Sequence, residues 1–160
     1  MKILVLHGPN LNLIGKLSTK EGTTITLGKI DTALKKKARQ LGCELKTLQT
    51  HKNFSAINFI QRNRNWADGL IFTPMSWLRY EFSLLESLEI AQIKTIQIIF
   101  DGNYNTTGNN SNSIFDDYCF KTLTGKPTDI YTNALEEPVS YTHLRAHETS
   151  LHLVCRLLLE

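Results

Sequence analysis

The sequence predicts an α/β domain: a doubly wound, flavodoxin-like parallel sheet of five strands in the order 2-1-3-4-5, with helices on both faces. Three observations carry this. Short apolar runs end at Gly8-Pro9, Thr73-Pro74 and Asp101-Gly102, pairs that turn a chain at a strand's end. Segments with apolar residues at three- and four-residue steps lie between the runs, as crossover helices require. The inner runs contain almost no polar residues, as strands buried on both faces do.

Ile3 to Leu6 form the first strand, and the Gly8-Pro9 turn places His7, Asn10 and Asn12 at its carboxyl end. In a parallel sheet that end is where ligands bind. Lys16 to Thr24 is polar and without period, so it reads as a mobile loop, a lid over the strand end. Leu27, Ile30, Leu34, Ala38 and Leu41 define an amphipathic helix with Gly42 as its C′ residue. Cys43 to Gln49 is a second strand, followed by His51 and Asn53 in a turn. Ser55 is placed as the cap of a helix reaching about Arg64, with Ile57, Phe59 and Ile60 inward.

Leu70 to Phe72 form the third strand, Leu84, Leu85 and Leu88 mark a third helix, and Thr95 to Phe100 is the fourth strand. Asp101 to Ser113 is a loop too rich in Asn and Gly to pack. Ser113 to Gly125 suits a helix or a last strand, and the strand is favoured. Pro127 is set at the first position of a terminal helix carrying Ile130, Tyr131, Ala134 and Leu135. In the order 2-1-3-4-5 the His7–Asn10 turn faces Thr73-Pro74-Met75-Ser76 across a crevice at the switch point.

Composition narrows the classes. With 160 residues and 41% apolar content, one domain can bury roughly two thirds of its unfolded surface without staples. Pro9 interrupts the opening apolar run after a few residues, which argues against a signal peptide or membrane span and for a cytoplasmic protein. Cys43, Cys119 and Cys155 have no paired spacing, so neither disulfides nor a metal site is expected. A formal charge of +3 is modest, and the run Lys35-Lys36-Lys37-Ala38-Arg39 lies on a helix face. Nucleic acid is not expected as a partner.

Residues 139–160 change character. His143, His147 and His152 fall here without a helix or strand period. Val139 to Thr149 resembles one reading frame of a transposase-type sequencing adaptor, and Leu153 to Glu160 resembles its flow-cell end. The native domain is therefore taken as residues 1–138, with 139–160 a non-native tail.

Within 1–138, Gly8-Pro9-Asn10-Leu11-Asn12-Leu13 with Gly15, then Leu27, Gln49-Thr50, Ala67-Asp68-Gly69, Pro74 and a closing Gly125 before Tyr131-Thr-Asn-Ala-Leu135 resemble the type II 3-dehydroquinate dehydratases. That resemblance implies a cofactor-free lyase of the shikimate pathway that takes a proton beside a ketone, passes through an enolate and protonates a departing hydroxyl. It also implies trimers or dodecamers and a small anionic ligand. Matched residue by residue, the family's lid tyrosine falls at Gly22 and its lid arginine at Leu17. The acid histidine falls at Ile99, with its glutamate at Gln97. The third-strand asparagine falls at Thr73, the histidine of the next loop at Arg79, and the helix acid at Glu86. Among the chemical groups only Asn10 is retained.

Weak or altered activity follows, or a non-catalytic relative that binds a carboxylate or serves as a scaffold. His7 and Glu21 are the possible replacement acid–base groups beside Asn10. Thr73, Ser76, Arg79, Glu86 and Asp101 are the expected ligand contacts, with the Arg79 guanidinium suited to an anion or else paired with Glu81 or Glu86. A nucleotide or flavin site is disfavoured because Gly8-Pro9-Asn10 lacks the glycine spacing of a phosphate cradle.

Overall fold

Nearly continuous apolar strands force helices onto both faces of the sheet, and the computed structural model, which describes residues 1–105 and 112–137, has that architecture. The strands are β1 (Lys2–His7), β2 (Glu44–Gln49), β3 (Gly69–Thr73), β4 (Thr95–Phe100) and β5 (Lys121–Gly125). They are all parallel, in the order β2-β1-β3-β4-β5. The helices are α1 (Ile14–Lys20), α2 (Leu27–Leu41), α3 (Asn53–Asn63), α4 (Phe82–Ala91) and α5 (130–137).

Alternation along each strand sorts the core into two layers. Ile3, Val5, Ile71, Ile96, Ile98 and Phe100 pack against Ile14 of α1, Ile30, Leu34 and Ala38 of α2, and Ile130, Tyr131, Ala134 and Leu135 of α5. Leu4, Leu6, Leu70 and Phe72 pack on the other side against Ala56 and Ile60 of α3, Leu84 and Leu88 of α4, Trp77 and Phe115. The amphipathic stripe of α2 therefore does what its period predicts. Gly42 ends the helix in the left-handed region, with φ 71°, where a Cβ would be strained.

Four local expectations are corrected. The polar stretch from Lys16 is no open lid: α1 runs through it because Ile14 is fully buried and Leu17 packs on the core. The buried Ser18 hydroxyl then accepts from the Ile25 N–H (3.0 Å) and lies 2.9 Å from the Gly15 carbonyl, folding the segment after the helix back onto it. Ser55 is not a cap. Helix α3 starts three residues earlier than that, with Lys52 at the N-cap and the Thr50 hydroxyl accepting its N–H at 3.0 Å. Ile60 is buried there, while Ile57 and Phe59 are half-buried. Pro127 lies in the turn before α5, and the Asp129 carbonyl accepts the first helical bond, from Asn133.

The fourth correction concerns the crevice between the turns after β1 and β3, which is closed at its base. The Gly8 N–H donates to the Thr73 carbonyl at 2.8 Å. A Cβ on Gly8 would lie 2.5 Å from the Pro74 carbonyl oxygen. Residues 106–111 of the Asn-rich loop, and 138–160 with the adaptor-like segment and Cys155, lie outside the described residues.

Under β4, the segment before β5 is bound by the Tyr118 hydroxyl donating to the Ile93 carbonyl. Burial pushes the Tyr118 phenol up to about 12 and the Cys119 thiol up to about 12. Both groups are neutral when protonated, so between their ordinary values of 10.0 and 9.0 and about 12 the unfolded chain releases protons that the native one keeps. Stability should be intact below pH ~9 and fall as pH rises toward ~12. Urea midpoints measured across that range should decline, and Tyr118→Phe should make the decline shallower. Gly8→Ala should cost about 2 kcal/mol or more, because backbone atoms on the facing turn must move; chemical denaturation reads this directly.

Candidate active site at the strand carboxyl ends

Strand parity sends His7 and Thr73, register partners on β1 and β3, to the α2/α5 face. His7 is 1% exposed. Its Nε2 lies 3.0 Å from Asp31 Oδ1 of α2. With Asp31 as the accepting carboxylate Nε2 is the donor, and in the neutral ring Nδ1 then presents a lone pair. That Nδ1 is buried and accepts no hydrogen bond among the described residues.

The Tyr131 ring stands edge-on to His7, with centroids 5.6 Å apart. The Tyr131 and Thr73 hydroxyls share a 2.8 Å hydrogen bond. Burial pushes the Tyr131 phenol well above its ordinary range, outweighing the Thr73 hydrogen bond that lowers it. It is therefore a neutral hydroxyl, not a ready base. Phe100 and Tyr104 extend the layer, and the Tyr104 hydroxyl meets that of Thr23 at 3.4 Å, joining the turn after β4 to the segment after α1.

A cavity of about 20 Å³, room for about one water, opens at the ends of β3 and β4. Thr73 and Asn105 supply polar wall, and Met75, Leu78 and Ile99 apolar wall. Asn10 is exposed on the turn after β1 in the left-handed region (φ 68°), its N–H donating to His51 Nδ1 at 3.3 Å. Ser76 is half-buried and Arg79 exposed on the 3-10 turn Met75–Arg79. Asp101 follows β4, its N–H bound to the Gly125 carbonyl, and its buried Oδ1 has no partner among the described residues.

The remaining expected groups are not brought to this cluster. Glu21 caps the end of α1 and pairs with Lys126 at 3.8 Å. Glu86 is exposed on α4. Glu81 accepts from Asn53 and Ser83. No group of three or more His, Cys, Asp or Glu capable of holding a metal occurs among the described residues.

Two features escape a reading of the sequence alone. Asp31 stands four residues after Leu27 and three before Leu34, on the inward stripe of α2. An acid at such a position signals a buried partner, and here the partner is His7. Gln97 is the second. It is fully buried on β4, and its amide nitrogen donates to Asp116 at 2.8 Å and Thr122 at 3.0 Å. Its carbonyl accepts from the Ser113 hydroxyl, which in turn accepts from the Phe115 N–H. Both ends of the side chain are committed to holding the segment before β5.

Residues 1–139 match the family Dehydroquinase class II. The chain belongs to that family. Among curated relatives, the 3-dehydroquinate dehydratase of Pelotomaculum thermopropionicum is 33% identical over 104 residues, 65% of this chain and 72% of that protein. The 3-dehydroquinate dehydratase of Dictyoglomus turgidum is 27% identical over 136 residues, covering 85% and 94%. The type II dehydroquinase structure from Butyrivibrio crossotus superposes with a TM-score of 0.74 at 20% identity, covering 86% of this chain and 97% of that one. This dehydroquinase-family sheet thus has its family order, and no helix among the described residues is long and apolar enough to cross a membrane.

Gln97→Leu should cost about 2 kcal/mol in unfolding free energy, since it strands the buried Ser113 hydroxyl and removes the bonds to Asp116 and Thr122. Gln97→Glu should cost at least as much near neutral pH, because a second carboxylate would face Asp116. Equilibrium denaturation of both variants checks this, and an unchanged midpoint would contradict it.

Proposed function

We propose that this dehydroquinase-family protein holds a small carboxylate of the 3-dehydroquinate class at the carboxyl ends of β1, β3 and β4, and dehydrates it weakly or not at all. The observation that carries the reading is Gln97, whose amide is saturated by Asp116, Thr122 and Ser113 at the position where the resemblance puts a catalytic glutamate. Ile99 offers no proton where the acid histidine would stand, and Gly22 and Leu17 offer neither base nor cation. A positioned acid or base contributes roughly 10²- to 10⁴-fold each.

Binding is the better supported half. Asn10 and Ser76 lie on the turns beside the strand ends, and the exposed Arg79 guanidinium suits a carboxylate by paired hydrogen bonds. Exposed Phe54, Tyr80 and Phe82 support self-association into a trimer or larger assembly. A cytoplasmic location belongs to the same reading. So does a non-native origin for residues 139–160, supported by a family match that stops at residue 139.

The test pairs turnover with binding on the full chain. 3-Dehydroquinate should raise the melting temperature while forming little or no 3-dehydroshikimate by absorbance, and Arg79→Ala should remove that rise. Turnover at a rate ordinary for an enzyme would refute the weak-site reading, and a melting temperature indifferent to the compound would refute the ligand.

A further inference from the structure

We propose that His7 and Asp31 form this chain's own proton-transfer pair, with His7 Nδ1 the base and Asp31 its positioning residue. The inference rests on the ligand class argued above and adds the residues that act on it. A buried imidazole ordinarily uses both nitrogens, because an unpaired polar atom out of water costs about 1–3 kcal/mol. Among the described residues only Nε2 is used, on Asp31 at 3.0 Å, while Nδ1 is enclosed without a partner.

The tautomer makes the free nitrogen a base. With the proton on Nε2 and held by the carboxylate, Nδ1 keeps its lone pair, and the positive ring formed on accepting a second proton lies against Asp31. The titratable groups in contact with the ring are Asp31 from α2 and Tyr131 from α5, and Tyr131 is kept neutral by burial. The Asp31 side chain is 27% exposed, so solvent reaches the pair through Asp31.

Placement suits the task. His7 ends the central strand at the switch point and is the register partner of Thr73, which lines the cavity at the ends of β3 and β4. Neighbouring strands are about 4.8 Å apart, so a ligand against Thr73 is one strand from the imidazole. The step balances within the pair. The C–H bond next to a ketone breaks, its electrons pass to the carbonyl oxygen as an enolate, and the proton forms an N–H bond at Nδ1. With Ile99 and Gln97 supplying no acid to a leaving hydroxyl, the enolate takes a proton back instead of losing water. The pair therefore catalyses hydrogen exchange without completing dehydration.

The experiment is proton NMR of 3-dehydroquinate in D2O with the full chain, read as loss of the signals next to the ketone relative to buffer alone. Wild type should exchange them about 10²-fold or more above buffer, with the rate followed as a function of pH. Asp31→Asn keeps the shape of the pair and should lower the rate about tenfold or more; His7→Gln should bring it to the buffer level.

Melting shifts with the same compound separate the failures. A retained shift with exchange equal to buffer overturns the base assignment alone. Neither shift nor exchange overturns the ligand reading with it. A His7→Gln protein that exchanges like wild type overturns the pair, as does an Asp31→Asn protein that is only less stable and keeps both rate and pH profile. Should His7→Gln fail to fold, the rate and pH profile of Asp31→Asn decide the matter.

Discussion

The contact between the turns after β1 and β3 sets the terms for everything at the site. Gly8 donates to the Thr73 carbonyl, and its Cα leaves no room for a side chain below the Pro74 carbonyl. That backbone bond extends the parallel ladder one residue past the strands. It locks the two central strand ends together and fixes which side chains stand on which face. His7 and Thr73 share the α2/α5 face because the register permits nothing else. The crevice at the switch point becomes a rim above a sealed floor.

Burial then decides the chemistry of each polar residue that the strands carry inward. His7, Thr73, Thr95 and Gln97 are all 1% exposed or less, and groups so enclosed must find partners or pay for desolvation. Thr73 finds Tyr131, Thr95 turns back to the Ile93 carbonyl, and Gln97 finds two partners in the segment before β5 and a third, Thr122, within the strand itself. His7 alone is half satisfied. The same rule that turns Gln97 into a structural clamp leaves His7 with a nitrogen to spare, so the two positions diverge in role although both lie on inner strands.

Much of the architecture was legible because its signals are local and repetitive. The apolar runs gave β1, β3 and β4, the Leu27-to-Leu41 stripe gave α2, and Gly42 marked its end through a left-handed φ that only a short-range rule is needed to anticipate. Helix α1 was hidden because its inward residues are just Ile14, Leu17 and Ser18, too few to make a period, and Ser18 is buried by hydrogen bonds that sequence does not display. The starts of α3 and α5 were misplaced by three residues each because backbone carbonyls and the Thr50 hydroxyl, not Ser55 or Pro127, organise those turns. Of the residues proposed for the site, His7 and Thr73 stand at the ends of β1 and β3 as their places in the sequence imply, whereas Glu21 pairs with Lys126 and Glu86 lies in open solvent.

By itself, then, the order of residues determined the fold class, the strand order and the family. Those depend on period, turn chemistry and motif spacing, all readable along one dimension. Only the tertiary structure decided that Asp31 meets His7, that Tyr131 covers Thr73 and that Gln97 is saturated. Each pairing joins residues 19 to 58 positions apart across a helix, a strand or a turn. Which nitrogen or oxygen is left over follows from packing, because low exposure makes every unshared polar atom count.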